Sequence, residues 1–424
     1  MLLNGANVQR LYESCIAGST AHEGDTGIHG FIGLMQECCG YREDEYGIAY
    51  VDPNRDVKPT RQLFEALAYA ILGPEAPERM KGSLLAGDLR EDASSAVAPG
   101  QFNSISAWNA AAAGLLEVSV LEGYRRAAQI GDQLASTQST RLRQTKSIGH
   151  TIIGPAGEPM NPGQRHPRYQ FDERFVIQPQ TEKYGAAIEV LHEAIFFDQT
   201  NGGVVQQAEK IGEELGLIKE MKIIDHFIGV NDLSNTRRYN YRGTEYDTYQ
   251  GSSPWINTQA NPLVDFDDVD DSNQLFVNMT DQEKGEPIIV DAKDILVMPS
   301  NWMRAKMIFG YDTVGIHTQT DTVRGIGPNP LKGMGYRLIE PNVRVQQRIA
   351  AASGLNAGSN AAAYWYHGDF KGAYLWSENW STRVKRASPS DYEMADQDIA
   401  IAIFANWMGG IGTLEPRKIV RNTN

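Results

Sequence analysis

An unbroken apolar stripe through the middle of the chain constrains the fold more than any other feature. Val204, Ala208, Ile211, Leu215, Ile218, Met221, Ile224 and Ile228 follow one another at intervals of three or four residues, the spacing that places them on one face of an α-helix. Glu209, Glu213, Glu214, Lys219, Glu220 and Lys222 fill the opposite face, and Asn201, Gly202 and Gly203 can supply the turn and cap at its start. A helix of about 25 residues is roughly 38 Å long. That is long for an ordinary globular domain and closer to a rigid strut. The same pattern fits a core helix of an α/β enzyme, so the segments on either side have to decide.

Before the helix, residues 1 to about 60 are glycine-rich and mixed, with the character of an arm. A helix-like run over Thr60–Ile71 stops at Gly73-Pro74, residues 82–100 read as a linker, and Ser104–Arg126 is alanine-rich and helix-competent. A strand-like piece at Ile148–Ile153 is followed by a turn region dense in breakers from Gly154 to Pro167. The chain then alternates with period two, Tyr169, Phe171, Glu173, Phe175 and Ile177 on one face. This predicts an extended hairpin. An isolated hairpin is marginal in water, so it needs a partner surface, either its own domain or a neighbouring subunit.

After the helix the chain turns to short strands. Thr236–Trp255 reads as an exposed polar loop rich in Tyr and Arg, and Ile288–Val290, Ile295–Met298 and Met334–Glu340 as strands. A short helix between Ser300, as its cap, and Gly310 is predicted. Residues 353–363 read as a small-residue loop. The final stretch holds at least three strands, with Gly409-Gly410 as a turn and Glu415-Pro416 opening the last strand.

Catalytic and metal-binding motifs fail on inspection. His192-Glu193 opens like a zincin helix, but Phe196 stands where the second zinc histidine is needed. Asp265, Asp267, Asp268, Asp270 and Asp271 resemble a calcium loop, yet they lack the glycine at the sixth position and the bidentate glutamate at the twelfth; a solvated acidic turn is the default and calcium remains open. There is no GxSxG elbow or phosphate loop, and Pro328 breaks the Gly325-Ile326-Gly327 spacing. A triad built from distant residues survives this test. Cys15, Cys38 and Cys39 are the only cysteines, too few for a disulfide framework, which points to a reducing compartment. The N-terminus lacks a secretory pattern, and no run approaches about 18 apolar residues, so no membrane span is expected. With 39 basic against 53 acidic residues and a net charge of −14, the chain lacks the basic surface that binds nucleic acid non-specifically.

The ordered set of arm, hairpin, YGAAIEVLHEAIFFDQ, long helix, GEPIIVDAKDILVMPSNWMRAKMIF, WYHGDFKGAYLW and a terminal DYEMADQDIAIAIFANWMGGIGTLEPRKIV resembles the major capsid proteins of tailed bacteriophages, the Caudoviricetes-like Hong Kong 97-type fold. The resemblance covers roughly residues 140–424. It implies an α+β subunit with an N-terminal arm and helical extension (1–147), an E-loop hairpin (148–183), a P-domain with a spine helix (184–229 and 374–410) and a strand-rich A-domain (230–373 and 411–424). It further implies a non-enzymatic virion protein, without cofactor or metal, that assembles in the host bacterial cytoplasm. The products would be hexamers and pentamers of an icosahedral shell around double-stranded DNA, bound without sequence specificity, with portal and scaffold or decoration proteins as further partners.

In those terms Arg165, His166, Arg168, Tyr169, Phe171, Arg174 and Phe175 are expected to make inter-subunit contacts. Val204, Ala208, Ile211, Leu215 and Ile218 form the helix core, and Gly202 and Gly203 a hinge, alongside the hairpin tip. The Glu-rich helix face is expected to look toward solvent on the DNA side. Some family members weld their shells through an E-loop lysine; here no lysine lies between Lys146 and Lys183, so no such bond is expected. In a mature particle the arm is expected to be retained. Two alternatives are an encapsulin-type nanocompartment shell, against which the long N-terminal region argues, and a cytosolic hydrolase with a dispersed triad.

Overall fold

The computed structural model describes residues 41–43, 49–51, 104–127, 130–148, 175–191, 203–229, 238–252, 254–280, 287–316, 325–353, 361–387 and 399–423. The readings at 60–71, 82–100 and the hairpin tip lie outside these residues. In chain order the elements open with the hairpin β1 (Tyr41–Glu43) and β2 (Ala49–Val51), then helix α1 (Ser104–Ala127) and strands β3 (Ser136–Ser139), β4 (Lys146–Ile148), β5 (Phe175–Ile177) and β6 (Glu182–Leu191). The long helix α2 (Gly203–Ile228) follows, then β7 (Arg238–Tyr241), β8 (Thr244–Asp247), β9 (Thr258–Ala260), α3 (Phe266–Val277), β10 (Asp294–Val297), α4 (Trp302–Gly310), β11 (Thr313–Ile316), β12 (Gly325–Pro328), β13 (Arg337–Ile339) and α5 (Val343–Ser353). The chain ends with β14 (Trp365–Gly368), β15 (Tyr374–Ala387), β16 (Ile399–Thr413) and β17 (Ile419–Thr423).

The chain divides into two compact units, the first made of Met1–Ala128, Lys183–Lys219 and Trp380–Met408, the second of Gln129–Glu182, Glu220–Asn379 and Gly409–Asn424. In the first unit α1 and the start of α2 approach until their backbones touch. A Cβ added at Gly123 would sit 2.0 Å from the Glu209 carbonyl oxygen, and one at Gly212 2.0 Å from that of Val120. Only glycine permits this separation, because any side chain would force the helices apart. The other face of α2 meets β16, where Trp407 donates its indole N–H to the Leu215 carbonyl at 3.2 Å and stacks on Tyr184 of β6 at 4.7 Å.

The second unit is organised on a mixed five-stranded sheet in the order β13-β10-β14-β17-β9. Its central strands are buried on both faces; every residue of β10 and β14 is covered. Alternation along β14 shows why. Trp365 packs with Ile295, Val297, Ala305 and Ile308 beneath α3 and α4, while the next residue, Tyr366, points the other way onto Phe227 of α2, ring centroids 4.9 Å apart. A second sheet, β4-β5-β7-β8, begins with the antiparallel pairing of Lys146 with Ile177 and Ile148 with Phe175.

Several local expectations are corrected. Thr236–Trp255 is no exposed loop: β7 and β8 form a hairpin, and Tyr239, Tyr241, Tyr249 and Trp255 are buried. The aspartate run opens α3, with Asp265 as N-cap and Asp268 completing a reciprocal capping box, since carboxylates satisfy the free amides of a first helical turn. Ser300 does not cap α4, which follows a 3-10 turn over Pro299–Asn301 without a side-chain cap. Ile288–Val290 makes no strand, and the strand within 334–340 shrinks to Arg337–Ile339. Gly409-Gly410 is no turn but continues β16, where a Cβ on Gly409 would strike the Trp376 ring at 2.7 Å. The last strand starts at Ile419, after a 3-10 turn over Pro416–Lys418.

Candidate functional site

The residues singled out in sequence fall into three groups. Arg165, His166, Arg168, Tyr169, Phe171, Arg174 and Gly202 lie outside the described residues. Phe175 opens β5, half-buried, with the Lys146 ammonium 4.1 Å above its ring. On α2, Gly203 is the first residue, Val204 lies in the first turn, Ala208 and Leu215 are buried, and Ile211 and Ile218 are half-buried.

The charged face of α2 departs from the expected open carboxylate surface. In the first unit Arg126 of α1 pairs with Glu209 and, at 3.3 Å, with Glu213. In the second unit Glu220 is buried, 3.2 Å from the Asn342 amide and 3.7 Å from the Arg344 guanidinium. Asp225 pairs with Arg348 of α5. Glu209, Glu220 and Asp225 therefore tie the helix to its surroundings, whereas Glu214 is exposed and Glu213 partly so, as expected of that face.

The C-terminal end of α2 is capped from several directions. A helix end leaves its last carbonyls unpaired, and here Tyr249 donates its hydroxyl to the Phe227 oxygen at 2.8 Å, Tyr366 to Ile228 at 3.1 Å and Arg421 a guanidinium N–H to Gly229 at 2.7 Å. Tyr374 donates in turn to the Tyr249 hydroxyl at 3.0 Å. Gly229 takes φ +54, and a Cβ there would meet the Tyr249 ring at 2.3 Å. Burial raises all three tyrosines well above the usual phenol range, so they remain donors and the cap persists at any ordinary pH. The sequence reading missed this network. Gly229, directly after the last apolar residue of the stripe, is the signal that marks the stop.

Two hydroxyl–imidazole pairs lie among the described residues, Thr413 with His226, 2.9 Å apart and buried, and Ser272 with His367. Ser272 Oγ lies 3.1 Å from His367 Nδ1, Nε2–H faces the Ala292 carbonyl at 3.2 Å, and Asn422 donates to Ser272 Oγ at 3.3 Å. Ser272, His367 and Asn422 have no exposed surface, and burial holds the imidazole pKa down to about 4, against the opposing bond to Ala292. Sealed from substrate and with each ring nitrogen already bonded, the Ser272 and His367 pair can stitch α3 to β14 and β17 but cannot attack anything. Among the described residues no group of three or more His, Cys, Asp or Glu is placed to hold a metal, and no helix is long and apolar enough to cross a membrane.

The surface features of the second unit are therefore more informative than its interior. An open groove of about 450 Å³ is lined by Asn273, Phe276, Val277, Ile289, Asp291 and Met334, among others, and Ile289 is 92% exposed on its rim. An exposed arginine-bearing loop lies at 141–144.

A family model described as phage capsid protein matches residues 175–422. No curated protein matches the chain in sequence. Similar solved structures include the capsid of an empty GTA particle (13% identity, covering 80% of this chain and 97% of that one, TM-score 0.40). Others are Gordonia phage Cozz (13%, 69% and 85%, TM-score 0.38) and the SrpI encapsulin complex of Synechococcus elongatus (9%, 70% and 88%, TM-score 0.38).

Proposed function

The chain belongs to the phage capsid protein family, and on that premise we propose that it is the major shell subunit of a tailed-phage head. In this reading it assembles as hexamers and pentamers into an icosahedral container around double-stranded DNA. The observation that carries the proposal is the family match over residues 175–422, which runs from the second strand of the hairpin through the last strand of the chain. The role is structural. The polar groups that resemble catalytic machinery are buried and mutually bonded, as at Ser272 and His367, whereas the exposed surface carries apolar side chains suited to association.

Three features give the subunit what a shell requires. A 26-residue helix is anchored within each unit by contacts of its own. The hairpin, whose described base β4 and β5 is joined to β7 and β8 in one sheet, supplies a lateral arm; Arg165, His166, Arg168, Tyr169, Phe171, Arg174 and Phe175 are the proposed contact residues. Gly202 and Gly203 are the proposed hinge between five-fold and six-fold settings. With a net charge of −14 the wall repels packaged DNA mildly, so the genome is enclosed without adhering. Many modest contacts per subunit then hold the lattice.

The test is nuclease treatment of purified particles followed by extraction of what they protect. Double-stranded DNA of a defined length range is the expected content. Particles that protect an enzyme and no DNA would instead support a nanocompartment shell, and the DNA-container proposal would fall.

A further inference from the structure

The second unit carries two exposed features of complementary chemistry that leave each other uncovered. The first is the groove beside α3. Its floor and rim are apolar, with Val277 77%, Ile289 92% and Met334 53% exposed. Along α3, Asp267, Asp270 and Asp271 are exposed and lie one turn apart on a face that ends at Val277. Partial desolvation and the carboxylates of Asp265, Asp268, Asp271 and Asp270 raise the Asp267 pKa, the mark of a negative surface not neutralised from within the unit. The one lysine on the groove wall, Lys293, is held by Asp291 at 3.0 Å.

The second feature is the loop Arg141–Leu142–Arg143. All three side chains are exposed, Leu142 at 62%, although the loop backbone is firmly held. Asn379 donates its side-chain amide to the Thr140 and Leu142 carbonyls at 3.1 and 3.0 Å. The Thr181 amide and hydroxyl both donate to the Arg143 carbonyl, at 2.8 and 3.2 Å. Neither arginine makes an ion pair among the described residues. A rigid backbone presenting a leucine between two cations is an apolar knob with a basic collar, pre-organised for docking.

We propose that this knob docks into the groove of a second copy of the chain, Leu142 entering between Val277, Ile289 and Met334, with Arg141 and Arg143 facing Asp270 and Asp271. Charge complementarity selects the occupant: a chain of net charge −14 repels its own copies, and a basic knob set against the acidic face of α3 that flanks the apolar groove is the pairing that offsets this repulsion where the subunits touch. The two patches differ, so the contact is heterologous. Repeated from copy to copy it generates rings when the rotation closes. The inference rests on the shell reading above and names the contact that would build it.

The experiment compares the full-length chain with Arg141→Glu/Arg143→Glu, Asp270→Lys/Asp271→Lys and the variant carrying all four changes, each checked for folding by circular dichroism. The readout is the critical concentration for assembly, measured by sedimentation. Each double variant is expected to raise it at least about tenfold, and the fourfold exchange to return it to within about threefold of wild type. If any variant fails to fold, oxidation of Leu142→Cys mixed with Ile289→Cys chains must give a disulfide-linked dimer that neither chain gives alone. Shells that form equally well after charge reversal, variants that lose only DNA, absence of rescue, or absence of the mixed disulfide overturn the contact while leaving the shell reading intact. Wild-type protein that never assembles overturns both.

Discussion

The two ends of the long helix are held by opposite means. Residues 203–219 lie in one compact unit and 220–228 in the other. At the first end the helix is fixed by the absence of side chains: Gly123, Gly212 and Gly216 let backbone meet backbone, with Arg126 bridging the acidic edge. At the second it is fixed by large side chains. Phe227 is enclosed by Tyr366, Phe370 and Tyr374, and hydroxyls close the last carbonyls. The difference teaches that apolar periodicity finds a helix but does not say how it is gripped. A steric grip tolerates no added atom, whereas an aromatic grip loses energy in proportion to what is removed.

Phe227→Ala should have the largest effect, about 3–5 kcal/mol lost in denaturant unfolding, because a fully buried ring leaves a cavity between facing aromatics. A loss under about 1 kcal/mol would mean that the aromatic end is not the anchor. Acid should act next, through His367. Its folded pKa is lowered to about 4 by burial, while an unfolded histidine takes a proton below about 6.5. The unfolded state therefore binds more protons across this window. The stability contribution is whole above pH about 6.5, falls as pH drops, and is fully lost below about 4, roughly 3 kcal/mol in all. Melts across that range should flatten in His367→Gln, and hydrogen exchange should show residues 220–228 loosening before 203–219.

The comparison can be sharpened by sign at Gly212. On a free helix surface Gly→Ala stabilises by up to about 1 kcal/mol. Against the Val120 carbonyl the added methyl forces the helices apart, so Gly212→Ala should destabilise by about 1–3 kcal/mol. A stabilised variant would mean that the backbone contact is absent. The smallest effect is expected from Tyr249→Phe, which keeps the ring against Gly229 and removes the hydroxyl that donates to Phe227 and accepts from Tyr374, whose own hydroxyl still reaches the Phe227 carbonyl at 3.4 Å, a loss of about 1 kcal/mol. An unchanged midpoint there would assign the cap to the remaining donors.

How much was legible follows from the same physics. The helix was readable from Val204 to Ile228 because its periodicity is strong, and the observed bounds are Gly203–Ile228; the base of the hairpin was readable from alternation through Phe175 and Ile177. The grip was not. Gly212 and Gly216 stand four apart on α2, a spacing that signals close approach, but composition reads glycine as weakness. Tyr239, Tyr241, Tyr249 and Trp255 read as loop residues in sequence because polar neighbours surround them; tertiary packing of β7 and β8 buries them. The aspartates of α3 read as a turn because the capping box that uses them is a matter of geometry, not of type. The groove at Val277 and Ile289 left no local trace, since its walls come from segments far apart in sequence.

The central claim is that this chain builds a closed shell, and the most direct measurement is electron microscopy of the purified full-length protein. The account predicts closed particles or ring-shaped capsomers of uniform size. A homogeneous population of monomers at every concentration, folded by circular dichroism, would contradict it.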